Sequence, residues 1–155
     1  EGYLFHSENF DIPADAGFKE YEKIIYLNKI KKGVSIVLRN IFFDTDKYSL
    51  KAESKIELDR LIQLLTDNLN LRIEISGHTD THGSSSYNQR LSEDRAGAVV
   101  DYLVVHGFGR ERFEFKGIGE AKPLVTDAER DKMKSTADRD DADAHNRRTE
   151  FMIID

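Results

Sequence analysis

Four short β-rich stretches, kept apart by segments of helical period, constrain this chain more than any other feature. Val34-Ser35-Ile36-Val37-Leu38 with Ile41-Phe42-Phe43 comes first and closes on the turn-prone Asp44-Thr45-Asp46. Leu71-Arg72-Ile73-Glu74-Ile75-Ser76 and Phe113-Glu114-Phe115-Lys116-Gly117 alternate apolar and polar residues, and Arg148-Thr149-Glu150-Phe151-Met152-Ile153-Ile154 ends the series. Period two is the repeat of a strand with one covered face. Between the first two, Leu50, Ile56, Leu58, Leu61, Ile62, Leu64 and Leu65 recur at three- and four-residue spacing, which predicts an amphipathic helix ending at Asn68 and Asn70. A second helix is expected from about Ser86 to His106, with Leu91, Ala98, Val99, Tyr102, Leu103 and Val105 as its apolar stripe and Gly107 as its stop. The order predicts an α+β fold, a two-layer βαβαβ(α)β sandwich whose small mixed sheet carries its helices on one face. The charged face of 71–76 predicts a strand half exposed, or one at or near a sheet edge, and Gly77 is expected to break it. Pro123 opens a stretch expected to be irregular.

Composition narrows the functions. The chain has 155 residues, no cysteine and a net charge of −6. It is long enough to bury a core without a disulfide or structural metal, and thiol nucleophiles and cysteine zinc sites are excluded. An isoelectric point near 5.4 argues against a nucleic-acid partner, which requires a basic face. No apolar run approaches the roughly 18 residues of a membrane span, so membrane association is expected only through regions outside this chain. No signal-peptide pattern opens at Glu1, which reads as a boundary within a longer protein. Residues 1–32, interrupted by Pro13 and Gly17, are expected to be a flanking linker or the end of a preceding β-sandwich, and residues 33–155 the domain proper.

Chemistry concentrates in the loop after Ser76, where polar residues gather at a strand end between glycines. Three readings compete. His78, Asp80 and His82 offer two imidazoles and a carboxylate for zinc or iron in a metal-assisted hydrolase, with His106 or His145 in reserve. His78 with Ser84, Ser85 or Ser86 offers a nucleophile and base, but no Gly-x-Ser-x-Gly elbow supports them. The third reading is binding without catalysis.

That third reading rests on Gly77-His78-Thr79-Asp80-(x)2-Gly83-(x)3-Tyr87-Asn88-(x)2-Leu91-Ser92-(x)2-Arg95-Ala96, then Gly117-x-Gly119-Glu120-(x)2-Pro123, then Asn146-Arg147-Arg148-x-Glu150, with Phe43-Asp44-Thr45-Asp46-Lys47 and Leu50 upstream. In this order the motifs resemble the OmpA carboxy-terminal-like family of peptidoglycan-binding domains, from about Val34 to Ile154. The resemblance implies non-covalent binding of the peptidoglycan stem peptide at its diaminopimelate residue, with no catalytic residue and no cofactor. It implies a periplasmic domain associated with the outer membrane, with envelope or secretion-system proteins as further partners. Asp80 and Arg95 match the family's charged pair, Thr79, Thr45, Asp46, Asn88 and Leu91 the rest of the groove, and Arg148, beside Arg147, the paired arginines before the last strand. A free end bearing both ammonium and carboxylate requires one fixed anion and one fixed cation, and a guanidinium meets a carboxylate bidentately where an ammonium cannot. A protein-interaction scaffold that keeps the fold without binding wall is the other alternative.

Two departures from the family pattern stand out. Thr126 to His145 is longer than expected and charge-dense, and its Asp138, Asp140, Asp141 and Asp143 lack the glycine and terminal glutamate of a calcium loop. Thr149 stands where an apolar β-branched residue is usual. The flank, Gly2-Tyr3-Leu4-Phe5 and Ser7-Glu8-Asn9-Phe10, resembles the closing strand of a carboxypeptidase-regulatory sandwich. That order of parts is similar to the periplasmic anchoring lipoprotein of a type IX secretion apparatus, with the flagellar-stator version of the domain as the main cousin.

Overall fold

The computed structural model describes residues 2–6, 20, 22–44 and 47–155. Thr45 and Asp46 lie outside the described residues, as does Ser7-Glu8-Asn9-Phe10. Strands β1 (Ser35–Leu38), β2 (Ile73–His78), β3 (Phe113–Gly119) and β4 (Thr149–Ile153) form one sheet in the order β1-β4-β2-β3. β4 runs antiparallel to both β1 and β2, while β2 and β3 are parallel. Helices α1 (Lys55–Asp67) and α2 (Ser85–Val105) supply the second layer, in the α+β arrangement the strand and helix order predicts.

The register explains the alternation. Ile75 stands between Phe115 and Phe151, and Ile73 between Phe113 and Ile153. Ile73, Ile75, Phe151 and Ile153 are buried in one core with Leu58, Leu61 and Leu65 of α1 and Ala96, Val99, Val100 and Leu103 of α2. Of the two readings of residues 71–76, the half-exposed strand is the one seen: β2 is not itself an edge strand but lies between β4 and β3, one place in from the edge. Alternation reports that one face of the sheet lacks a helix, and says nothing of lateral position. On that face Glu74 is paired with Lys116 at 2.6 Å.

Gly77 does not break β2 either, because the strand continues to His78 and only its register with β3 shifts there. A Cβ on Gly77 would stand 2.1 Å from the Ser92 carbonyl oxygen, and one on Gly117 2.4 Å from that of Gln89. The two glycines let α2 lie directly on β2 and β3.

The helical stripes also need correction. Ile56 and Val105 are exposed; at 100° per residue each falls on the far side of its helix from Leu58 and Leu103 respectively. Leu50 precedes α1 and bridges Phe43. Asn68 ends α1, donating its side-chain amide to the Leu64 carbonyl. The stretch after Pro123 holds two short helices, α3 (Asp127–Arg130) and α4 (Thr136–Asn146). Thr126 and Glu129 form a reciprocal capping box and Ser135 caps α4, so local polar chemistry builds helices where apolar periodicity is absent. Asp143, one of the acidic residues weighed for calcium, makes a bidentate pair with Arg130 at 2.7 and 2.8 Å.

The described part of the flank packs on the same core. Leu4 donates its N–H to Asn28, Ile30 donates to Gly2, and the Leu4 side chain is buried. The Phe5 ring lies 6.0 Å from that of Phe151. Among the described residues no helix is long and apolar enough to cross a membrane.

Candidate functional site

The end of β2 is held from both sides. His78 N–H donates to the Arg148 carbonyl at 2.9 Å and Thr79 N–H to that of Gly119 at 3.0 Å. This backbone clamp carries Thr79 and Asp80 beyond the sheet while keeping both buried. Asp80 Oδ1 accepts the His82 N–H at 3.0 Å, and Oδ2 accepts a short hydrogen bond from Arg147 Nη1. Burial works to raise the Asp80 pKa, but hydrogen bonds from Arg147 and the His82 backbone, with the Arg147 charge, outweigh it and hold it below the usual aspartate value. The site therefore presents a fixed anion.

Helix α2 starts at this loop, with Ser84 as its N-cap accepting the Tyr87 N–H. One turn on, buried Asn88 donates its amide to the Asp80 carbonyl at 3.3 Å and to Glu120 Oε2. Arg95 lies seven residues further, on the same helical face and roughly 10 Å along the axis. Its Nε donates to the Lys47 carbonyl at 3.1 Å, its Nη2 reaches the Asp44 carbonyl at 3.5 Å, and the guanidinium lies 5.1 Å over the Phe43 ring. Asn88, which ties down the Asp80 loop, and Arg95 thus share one face of α2. Leu91 is half-buried between them in sequence.

Arg148 is differently employed. Its Nε donates to Glu150 at 2.6 Å, its Nη2 to the Lys122 carbonyl at 3.1 Å and its Nη1 to that of Asn146 at 3.4 Å, with the side chain nearly buried. The arginine that reaches Asp80 is its neighbour, Arg147. Glu120 and Arg147 belong to the ordered motifs of the sequence, yet their contacts with Asn88 and Asp80 depend on how β3 ends and β4 begins, which sequence order does not reveal. Asn146 closes the same corner, its Oδ1 accepting from the Leu124 and Val125 N–H groups.

Of the residues of the metal reading, His82 and Asp80 do meet, His82 Nδ1 lying 3.3 Å from Asp80 Oδ1, but His78 does not join them. Among the described residues no group of three or more His, Asp or Glu side chains is placed to hold a metal ion. Among the described residues His78 is buried with no hydrogen bond to either ring nitrogen, its Nε2 3.8 Å from Glu150. Burial first, then the charges of Arg148, Lys122 and Lys116, lower its pKa to about 4 against the opposing pull of Glu150, leaving a neutral ring at neutral pH. Thr79 Oγ1 is likewise buried without a partner among the described residues.

Known proteins share this architecture. Outer membrane protein A of Escherichia fergusonii is 37% identical over 116 residues, covering 74% of this chain and 47% of that protein. The Photosystem I P700 chlorophyll a apoprotein A2 of Gloeobacter violaceus is 39% identical over 122 residues, covering 78% of this chain and 14% of that protein. The chain thus spans less than half the length of these curated relatives. Among solved structures, the peptidoglycan-associated lipoprotein from Burkholderia pseudomallei superposes with a TM-score of 0.60 at 30% identity, over 73% of this chain and 87% of that one. The cell wall anchor of the T6SS from Pseudomonas aeruginosa does so with a TM-score of 0.60 at 25% identity, over 77% and 78%. The OmpA family model matches residues 42–137, more than half of the sequence and the span that holds Asp80, Asn88 and Arg95, and the chain belongs to the OmpA family.

Proposed function

We propose that this domain grips the peptidoglycan stem peptide without catalysis, holding the free end of diaminopimelate between Asp80 and Arg95 and so anchoring an outer-membrane or periplasmic assembly to the cell wall. The observation that carries this reading is the nearly buried, ionised Asp80, tied through Asn88 to the helix face that bears Arg95. The ligand ammonium meets the Asp80 carboxylate and the ligand carboxylate meets the Arg95 guanidinium. Thr79 Oγ1, Asn88 and Leu91 line the groove, and Thr45 and Asp46 are assigned to the same ligand by the family motif alone. The similarity to a peptidoglycan-associated lipoprotein and to a cell wall anchor supports the same assignment. A periplasmic location and a host secretion machine, type IX included, belong to this proposal.

Hydrogen bonds to charged groups contribute about 1.5–3 kcal/mol each, which, less the cost of association, corresponds to millimolar to micromolar affinity for one stem. A wall of repeated stems makes weak sites effective through local concentration. Calorimetric titration with a stem peptide containing diaminopimelate, beside one with lysine in its place, tests the reading. Asp80→Ala and Arg95→Ala should each weaken binding at least tenfold, and lysine should bind more weakly than diaminopimelate. A folded protein that binds neither peptide up to millimolar concentration overturns it.

A further inference from the structure

Asp80 already holds a cation in this structure: Arg147 Nη1 donates to Oδ2 of the carboxylate that the ligand ammonium would occupy. The two partners are unequally committed. The Asp80 side chain is 10% exposed and is fixed from its other oxygen by the His82 N–H, with Asn88 on its carbonyl. The Arg147 side chain is 45% exposed and makes no second hydrogen bond among the described residues. Arg148, one residue on, is 7% exposed and bound to three acceptors. Of the paired arginines, one is built into the frame and the other rests on the site with open water behind it.

We propose that Arg147 is an internal competitor for the stem-peptide ammonium, occupying Asp80 when the site is empty and withdrawing into solvent when ligand binds; this role rests on the stem-peptide reading of the site. A guanidinium and an ammonium seek the same oxygen, and Asp80, the buried partner, does not move. A tethered cation acts at an effective concentration in the millimolar range, the range in which a single weak stem competes. Only the arginine side of the pair is open to water, so Arg147 can withdraw without rearranging the site, and its pairing scales binding rather than blocking it. The apparent dissociation constant is the intrinsic one divided by the fraction of molecules in which Arg147 is withdrawn. The residue thus sets the site weaker than Asp80 and Arg95 alone would make it, while keeping the empty pocket neutralised.

The test is calorimetry on the full chain, comparing wild type, Arg147→Ala and Arg147→Gln. Each is titrated with the diaminopimelate stem peptide and with the same peptide acetylated on that amine. Both variants should bind the free-amine peptide about three- to tenfold more tightly than wild type, and neither should gain affinity for the acetylated one. The glutamine variant retains most of the side-chain volume and covers the case in which Arg147→Ala fails to fold. If wild type binds the free-amine peptide but the folded variants bind it equally or more weakly, the competitor role is overturned and the stem-peptide reading survives. If neither wild type nor the variants bind, both fall.

Discussion

His78 shows how a single buried side chain makes the fold pH-sensitive. In the folded chain its pKa is lowered to about 4, whereas an unfolded histidine titrates near 6.5. Between those values the unfolded chain takes up a proton that the folded one refuses, so stability is full above about pH 6.5 and falls as the pH drops toward 4. From pH 7 to pH 5 the loss is about 2 kcal/mol. Urea denaturation of wild type and His78→Asn at the two pH values measures it, and the variant should lose that much less. Equal losses in both proteins would show that His78 is not held neutral. The residue scale is also where sequence reading reaches furthest and then stops. Asp80, Asn88 and Arg95 are legible because their spacing carries a motif. The choice of Arg147 over Arg148 is not, because which of two adjacent arginines turns toward Asp80 is decided by the backbone clamp on His78 and the start of β4.

Among the elements, α2 and β2 meet with no side chain between them at Gly77. Gly77→Ala drives a methyl group into the Ser92 carbonyl oxygen, which belongs to a helix backbone that cannot swing aside. Overpacking of this kind costs at least about 2 kcal/mol here, at the upper part of the usual range. Chemical denaturation measures it, and a change below about half a kilocalorie per mole would mean that the helix stands off the sheet. Helices and strands are legible in kind because periods of 3.6 and 2 are written in Leu58–Leu65 and Leu71–Ser76. Gly77 reads wrongly as a strand terminator because the same residue type serves chain reversal and close packing, and only tertiary contact separates the two. The helices between Pro123 and Asn146 are legible only as one optional helix in a stretch read as irregular, because caps and a half-buried Arg130–Asp143 pair hold them in place of an apolar stripe.

On the scale of the whole molecule, the core extends beyond the segment from Gly33 onward. Leu4 is 1% exposed among residues of α1, α2 and the sheet. Leu4→Ala should therefore cost about 2–4 kcal/mol, as truncation of a buried leucine does. Equilibrium denaturation of the two proteins gives the difference, and an unchanged midpoint would show that the first residues are not seated on this core. The β-like texture of Gly2-Tyr3-Leu4-Phe5 is legible, but a pairing with Asn28 and Ile30 across an intervening stretch leaves no trace in local periodicity.

The last strand in sequence is an inner strand in space, joined to β1 on one side and β2 on the other. Until Thr149–Ile153 is available, β1 has no strand to pair with, and the contact between Ser35 and Glu150 spans a separation of 115 residues. The parallel pair β2–β3 can form from earlier segments, but the four-stranded sheet cannot close before Thr149–Ile153 is in place. Long-range pairing of that sort slows folding relative to chains built on local contacts. A chain lacking Thr149–Ile153 is thus left with β1 cut off from β2 and β3, a form open to proteases and to pairing with its own kind.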